Sequence, residues 1–72
     1  MRYTYSAHAE TQMALREIDG AMVHEAFRSG DRQAIHAGLV QIDARVDGLG
    51  LRVIARPIKG GFHVVTVHFV DG

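Results

Sequence analysis

Apolar positions along the chain change their spacing near Arg32. Before it they recur every three or four residues, the period of a helix, and after it every second residue, the period of a strand. Met1 to Tyr5 already alternates, with Tyr3 and Tyr5 on one face, and reads as a short edge strand. Ser6 is a good N-cap for a helix from Ala7 to about Glu17, whose apolar stripe of Ala9, Met13, Ala14 and Ile18 is thin. Asp19 caps a second helix, and Ile18 just before it can pack on Val23 as a hydrophobic staple. Met22, Val23, Ala26 and Phe27 form its apolar face, with His24, Glu25 and Arg28 turned away. Gly30 is placed to end this helix in a left-handed conformation.

The alternating half predicts strands at about 32–37, 39–46, 51–58 and 62–70. A four-residue loop, Asp47-Gly48-Leu49-Gly50, pairs Val46 with Leu51, Ala44 with Val53 and Ile42 with Ala55. A three-residue loop, Lys59-Gly60-Gly61, pairs Ile58 with Phe62, Ala55 with Val65, Val53 with Val67 and Leu51 with Phe69. This register gathers Val40, Ile42, Ala44, Val46, Leu51, Val53, Ala55, Val65, Val67 and Phe69 on one face. A two-residue second loop would break the set, because a slip of one flips every side chain. The expected fold is α+β, with two N-terminal helices packed on a three- to four-stranded antiparallel sheet.

The other sheet face then carries Gln41, Asp43, Arg45, Arg52, Ile54, Arg56, Val64, Thr66 and His68. In this register Arg45 faces Arg52 and Arg52 faces His68, an unfavourable meeting of like charges that a phosphate or an acidic partner would relieve. Arginines on a rigid sheet beside a histidine can stabilise the charge that develops on a phosphorane and move a proton. The competing reading is a solvated face on which Asp43 and Asp47 pair with the arginines. His8, one or two residues inside the first helix, is either a buttress between helix and sheet edge or an imidazole kept neutral by the helix N-terminus. Arg16 suits the helix end it occupies.

Seventy-two residues make one domain, 1–72, and a chain this short buries only about 60% of its unfolded surface, so it often leans on a partner. There is no cysteine, which fits a reducing cytoplasm. Eight Lys and Arg balance eight Asp and Glu, so net charge exerts no general pull toward nucleic acid or membrane. The charge is uneven, however. Residues 45–59 carry Arg45, Arg52, Arg56 and Lys59 against Asp47 alone. No apolar run approaches the roughly 18 residues of a membrane span, and no signal peptide is visible. His63 and His68, five apart on one strand, are expected on opposite faces, so no metal site or other cofactor is expected. Nor is there a glycine-rich phosphate loop or a nucleophile elbow.

Ser6, His8, Ala9, Met13, Arg16 and Ile18, with Val64-Val65-Thr66-Val67-His68 at the end, resemble a family of very short bacterial domains of unknown function. In that family the first segment reads like S-x-H-A-x-x-R-M-x-x-R-G-I and the last strand like V-V-T-V-Y. Gln12 here replaces the first arginine, Glu17 the glycine, and His68 the aromatic hydroxyl. That family is similar to the RelE and BrnT toxins of toxin–antitoxin pairs. The resemblance implies two helices followed by an antiparallel sheet. It also implies metal-independent mRNA cleavage by Arg45, Arg52, Arg56, His68 and His8, with Arg16 and Lys59 on the RNA and an antitoxin protein as partner. Strongly basic charge is usual for such toxins, since RNA affinity grows with the phosphates neutralised. A neutral chain can instead be a relative without catalysis, a protein-interaction module that forms a homodimer through open strand edges.

Overall fold

The structure, a computed structural model, describes residues 1–70. Strand β1 (Arg2–Tyr5) leads into helices α1 (Ala7–Arg16) and α2 (Gly20–Ser29), and then β2 (Asp31–Ala34), a 3-10 turn at His36–Gly38, β3 (Val40–Val46), β4 (Leu49–Ile58) and β5 (Gly61–Val70). The class is α+β, as expected, but the sheet has five strands in the order β1-β5-β4-β3-β2 and is mixed, because β1 runs parallel to β5. The expected all-antiparallel sheet of three or four strands is thus corrected. The N-terminal alternation forms a fifth, edge strand, reached across the helical crossover.

Both helices begin on the caps read from the sequence. Ser6 Oγ accepts from the Ala9 N–H at 3.0 Å, and Asp19 Oδ1 from the Met22 N–H at 2.9 Å. α1 ends when Glu17 turns left-handed (φ 56°, ψ 40°), with the Ile18 N–H donating back to the Met13 carbonyl at 2.9 Å. Gly30 does not adopt the left-handed cap expected of it, since its φ is −85°. Its role is close approach. A Cβ there would lie 2.6 Å from the Ala26 oxygen and 2.8 Å from the Asp43 oxygen, where α2 turns down onto β3. The strand expected at 32–37 stops at Ala34, because Ala37 swings to φ 60° in the 3-10 turn.

The β3–β4 hairpin closes over two residues, not four. Asp47 and Gly48 both have positive φ, 53° and 79°, the signature of a type I′ turn. Val46 therefore pairs with Leu49, Ala44 with Leu51 and Ile42 with Val53. The slip of two keeps every side chain on its expected face and changes only its neighbours. The β4–β5 hairpin also closes over two residues, Lys59 and Gly60, so that Ile58 pairs with Gly61. The expected loss of the face does not follow. The register shifts once more between Ile54 and Ala55, leaving Val65 as the extra residue of a β-bulge. Leu51–Phe69 and Val53–Val67 pair as expected beyond it, while before it Val64, fully buried, takes the core position expected of Val65.

The core lies between the helices and one sheet face. Ile42, Leu51, Val53, Val64 and Val67, all fully buried, meet Val23, Ala26, Phe27 and Ala9. Each buried aliphatic side chain contributes roughly 1.5–3 kcal/mol. α1 packs chiefly on β5 and α2 on β3 and β4, so neither helix covers the opposite face of the sheet. No helix among the described residues is long and apolar enough to cross a membrane.

Candidate functional site on the bare sheet face

The face left uncovered is organised in cross-strand rows. One row runs His68–Arg52–Asp43–Asp31 across β5, β4, β3 and β2. The next runs Thr66–Ile54–Gln41–Gln33, and a third joins Thr4, His63 and Arg56 across β1, β5 and β4. At the opposite end Val70, Gly50 and Arg45 are neighbours.

The register corrects the charge pattern read from the sequence. Arg45 faces Gly50, and Asp43 faces Arg52. Arg52 Nε donates to Asp43 Oδ1 at 2.7 Å, and Gln41 Nε2 donates to Asp43 Oδ2 at 3.0 Å. The Arg52 hydrogen bond holds the Asp43 carboxyl below the usual carboxylate range, and the same bond raises Arg52 above its ordinary value. Arg45 Nη2 donates to the Gly48 carbonyl at 3.0 Å, and Arg56 Nη1 to the Ala37 carbonyl at 3.2 Å. The expected row of opposed cations is therefore a set of arginines each fixed by an oxygen. The meeting of Arg52 with His68 stands as expected.

His8 projects from the first turn of α1, beyond the end of β1. Its Nε2 shares a hydrogen bond with Thr66 Oγ1 at 3.0 Å. Thr66 pairs with Ile54, between the buried Val53–Val67 and Ala55–Val64 pairs, so its side chain belongs to the bare face. Ser6 ties the same spot down. It caps α1 while its Oγ donates to the Val65 carbonyl at 2.7 Å. The bulge thus lies where the helix N-terminus meets the sheet edge, and it brings His8 round that edge.

The bulge also moves His63. Five positions from His68 on a regular strand, it would face the core, but the extra residue returns it to the bare face opposite Arg56. Its Nδ1 shares a hydrogen bond with Thr4 Oγ1 at 2.8 Å. The sequence reading placed Thr66 on this face without giving it a role and left His63 and Thr4 off it, because no residue type announces a bulge at Val65. His63 and His68 remain separated by four residues of β4, roughly 13 Å, too far to share one ion or one phosphate. Among the described residues no three His, Asp or Glu side chains converge as metal ligands.

Arg16 and Lys59 stand apart from this group. Arg16 closes α1 with its guanidinium on Gln12, and Lys59 occupies the exposed β4–β5 turn. On the helix side, Tyr3 bonds His24 Nδ1 at 3.0 Å through its hydroxyl, and Arg32 lies 5.6 Å above the Phe27 ring and 5.3 Å above that of Phe62. Burial raises the Tyr3 phenol above its ordinary value. These contacts close the end of the core and have no access to the bare face.

Chemically, the rows around Thr66 place one imidazole at the sheet edge, a second two residues along β5, roughly 7 Å away along the strand, and an arginine opposite the second. Such a set can hold an anion and relay protons without a metal. Compared with protein-family models, with curated proteins and with solved structures, the chain matches none.

Proposed function

We propose that the bare sheet face binds single-stranded RNA and cleaves it without a metal, in the manner of the RelE- and BrnT-like toxins the sequence resembles. The observation that carries this reading is the placement of His8 against Thr66, on the face shared by His68 and Arg52. One imidazole takes the proton of the ribose 2′-hydroxyl as its oxygen bonds to phosphorus. The other gives a proton to the departing 5′-oxygen, leaving a 2′,3′-cyclic phosphate and a free 5′-hydroxyl. Asp43 engages Arg52 through Nε and, at 3.5 Å, through Nη2, which leaves Nη1 as the donor for a phosphate oxygen. Arg56 and His63 extend the surface along the strand toward Lys59. The reaction belongs in the cytoplasm, with a cognate antitoxin protein restraining it.

Expression without an antitoxin should arrest bacterial growth, and purified protein should cleave RNA in the presence of EDTA. His68→Ala, His8→Ala and Arg52→Ala should each lower kcat by about 10²–10⁴-fold. Unhindered growth, together with RNA that is neither bound nor cut, would remove the proposal.

The pairing of Arg52 with Asp43, with Arg45 and Arg56 fixed on carbonyls, favours a second reading. A face so neutralised, in a chain of zero net charge, suits a protein-interaction module. All four residues of edge strand β2 are exposed and open to strand addition. Light scattering that shows a stable homodimer with no affinity for RNA would favour this reading over the first.

A further inference from the structure

The eight cations and eight anions of the chain are not mixed across the sheet. Strands β1, β4 and β5 and the Lys59-Gly60 turn contain no Asp or Glu, yet they carry Arg2, Arg52, Arg56, Lys59, His63 and His68. Of these, Arg52 alone has a carboxylate partner among the described residues, Asp43 on β3. The neutral total therefore conceals a half-sheet without anions of its own.

That half-sheet ends in a corner organised around His63. Thr4 Oγ1 holds the ring through Nδ1 at 2.8 Å, which leaves Nε2 without a protein partner among the described residues. Arg56 stands opposite on β4, roughly 5 Å across the ladder. Its Nη1 is tied at 3.2 Å to the carbonyl of Ala37, a residue held at φ 60° where side chains are rare, so Nη2 and Nε remain as donors. On β1, the alternation that turns Tyr3 to the core and Thr4 to His63 puts Arg2 on the bare face as well. Arg2 lies two residues, roughly 7 Å, nearer the turn, where its N–H donates to the Gly60 carbonyl at 2.9 Å.

Cations gathered on adjacent strands without a counter-charge repel one another, and an anion between them removes that cost. Two guanidinium groups flanking an imidazole, all on one face, match the oxygens of a phosphate. We infer that this corner is a second phosphate subsite, where Arg2, Arg56 and His63 hold an RNA phosphate remote from the one cleaved and Lys59 borders it. The inference rests on the ribonuclease reading for the identity of its ligand. The His68–Arg52 row lies roughly 13 Å away along β4. A stacked strand advances about 3.4 Å per nucleotide, so the two phosphates stand about four nucleotides apart at most. The preferred substrate is accordingly an unpaired stretch several nucleotides long, laid along β4 and β5.

Titration of the full chain with uncleavable 2′-deoxy analogues, a dinucleoside monophosphate and a hexanucleotide, tests the subsite, with RNA of the same two lengths assayed for cleavage. The hexanucleotide should bind about tenfold more tightly, since it adds charge-assisted bonds at the corner. It should shift the amides of Arg2, Arg56 and His63 together with those of the His68–Arg52 row, whereas the dinucleoside should shift that row alone. Arg2→Glu and His63→Ala, each checked for native amide shifts in β3 and α2, should erase the advantage of length. Equal affinity for both lengths with RNA still cut, or an advantage retained in either variant, would overturn the second subsite and leave the ribonuclease proposal standing. RNA of neither length bound or cut would overturn both.

Discussion

Glu17 stands where the resembling family has glycine, and it keeps the left-handed conformation that a glycine would adopt without strain. Replacing it should help the fold. Relief of roughly 1–2 kcal/mol of left-handed strain, less about 0.4–1 kcal/mol of added freedom in the unfolded chain, leaves Glu17→Gly more stable by about 1 kcal/mol. The urea midpoint should rise at unchanged slope. Asp43 carries a second residue-scale consequence. Its carboxyl is held below the usual range by the Arg52 hydrogen bond, so the pair stabilises the fold at any pH above the unfolded-state value of about 4. That contribution is lost as pH falls through the lowered folded-state value. Asp43→Asn should therefore melt below the wild type at pH 7, and the difference should close in melting curves recorded on titrating into acid. An undiminished difference at pH 2 would assign the loss to packing and not to charge.

At the scale of elements, two hairpins decide what the bare face contains. The tight Asp47-Gly48 turn slides β3 by two residues against the reading that included Leu49 and Gly50 in the loop, and this puts Asp43 opposite Arg52. Asp-Gly between alternating apolar runs is itself a strong hairpin signal, so this part of the register was available in the sequence. The bulge at Val65 was not. It combines a two-residue turn with a correct core face, and it supports Ser6 and His8 at the sheet edge. Deleting Val65 should leave a regular β4–β5 ladder in which Phe62, Val64, Val67 and Phe69 still face the helices. The variant should fold, with native-like amide shifts in β3 and β4, yet lose the His8–Thr66 contact and with it any RNA cleavage. A variant that fails to fold would show that the bulge is needed for the core as well.

For the whole molecule, the balance of eight cations and eight anions limits how the RNA proposed as its substrate can be held. Arg52 and Arg56 are the arginines of the bare face nearest the histidines, and Lys59 lies at its end. Two or three phosphate contacts give a slope of log K against log salt of only about −1.4 to −2.1 on single strands. A binding titration from low to physiological salt should show that shallow dependence. A slope steeper than roughly −4 would mean that another, more basic surface is engaged. The same economy applies to the fold. A domain of this size has a stability of only about 4–11 kcal/mol, so the closing of the sheet by β1 and the capping of both helices matter to it. Ser6 serves both, with one hydroxyl bonded to the α1 N-terminus and to the β5 bulge.

Local chemistry was enough to set the helices, their N-caps, the core faces of β3, β4 and the end of β5, and the α+β class, because caps act over three residues and burial imposes a period that the residues themselves display. Ser6, Asp19, Val23, Phe27, Val53 and Val67 all occupy the places their pattern demands. The identity of neighbours across strands was decided only in three dimensions. Parity survives a slip of two residues, so Arg52 kept its face while its partner changed from Arg45 to Asp43. A bulge resets parity without leaving a mark in residue type, so His63 changed face and His8 gained Thr66. The pairing of β1 with β5 joins residues nearly sixty positions apart, beyond the reach of any local period. The candidate site is built almost wholly from such cross-strand and edge contacts. The types of its side chains could be read along the chain, and its arrangement only from the folded sheet.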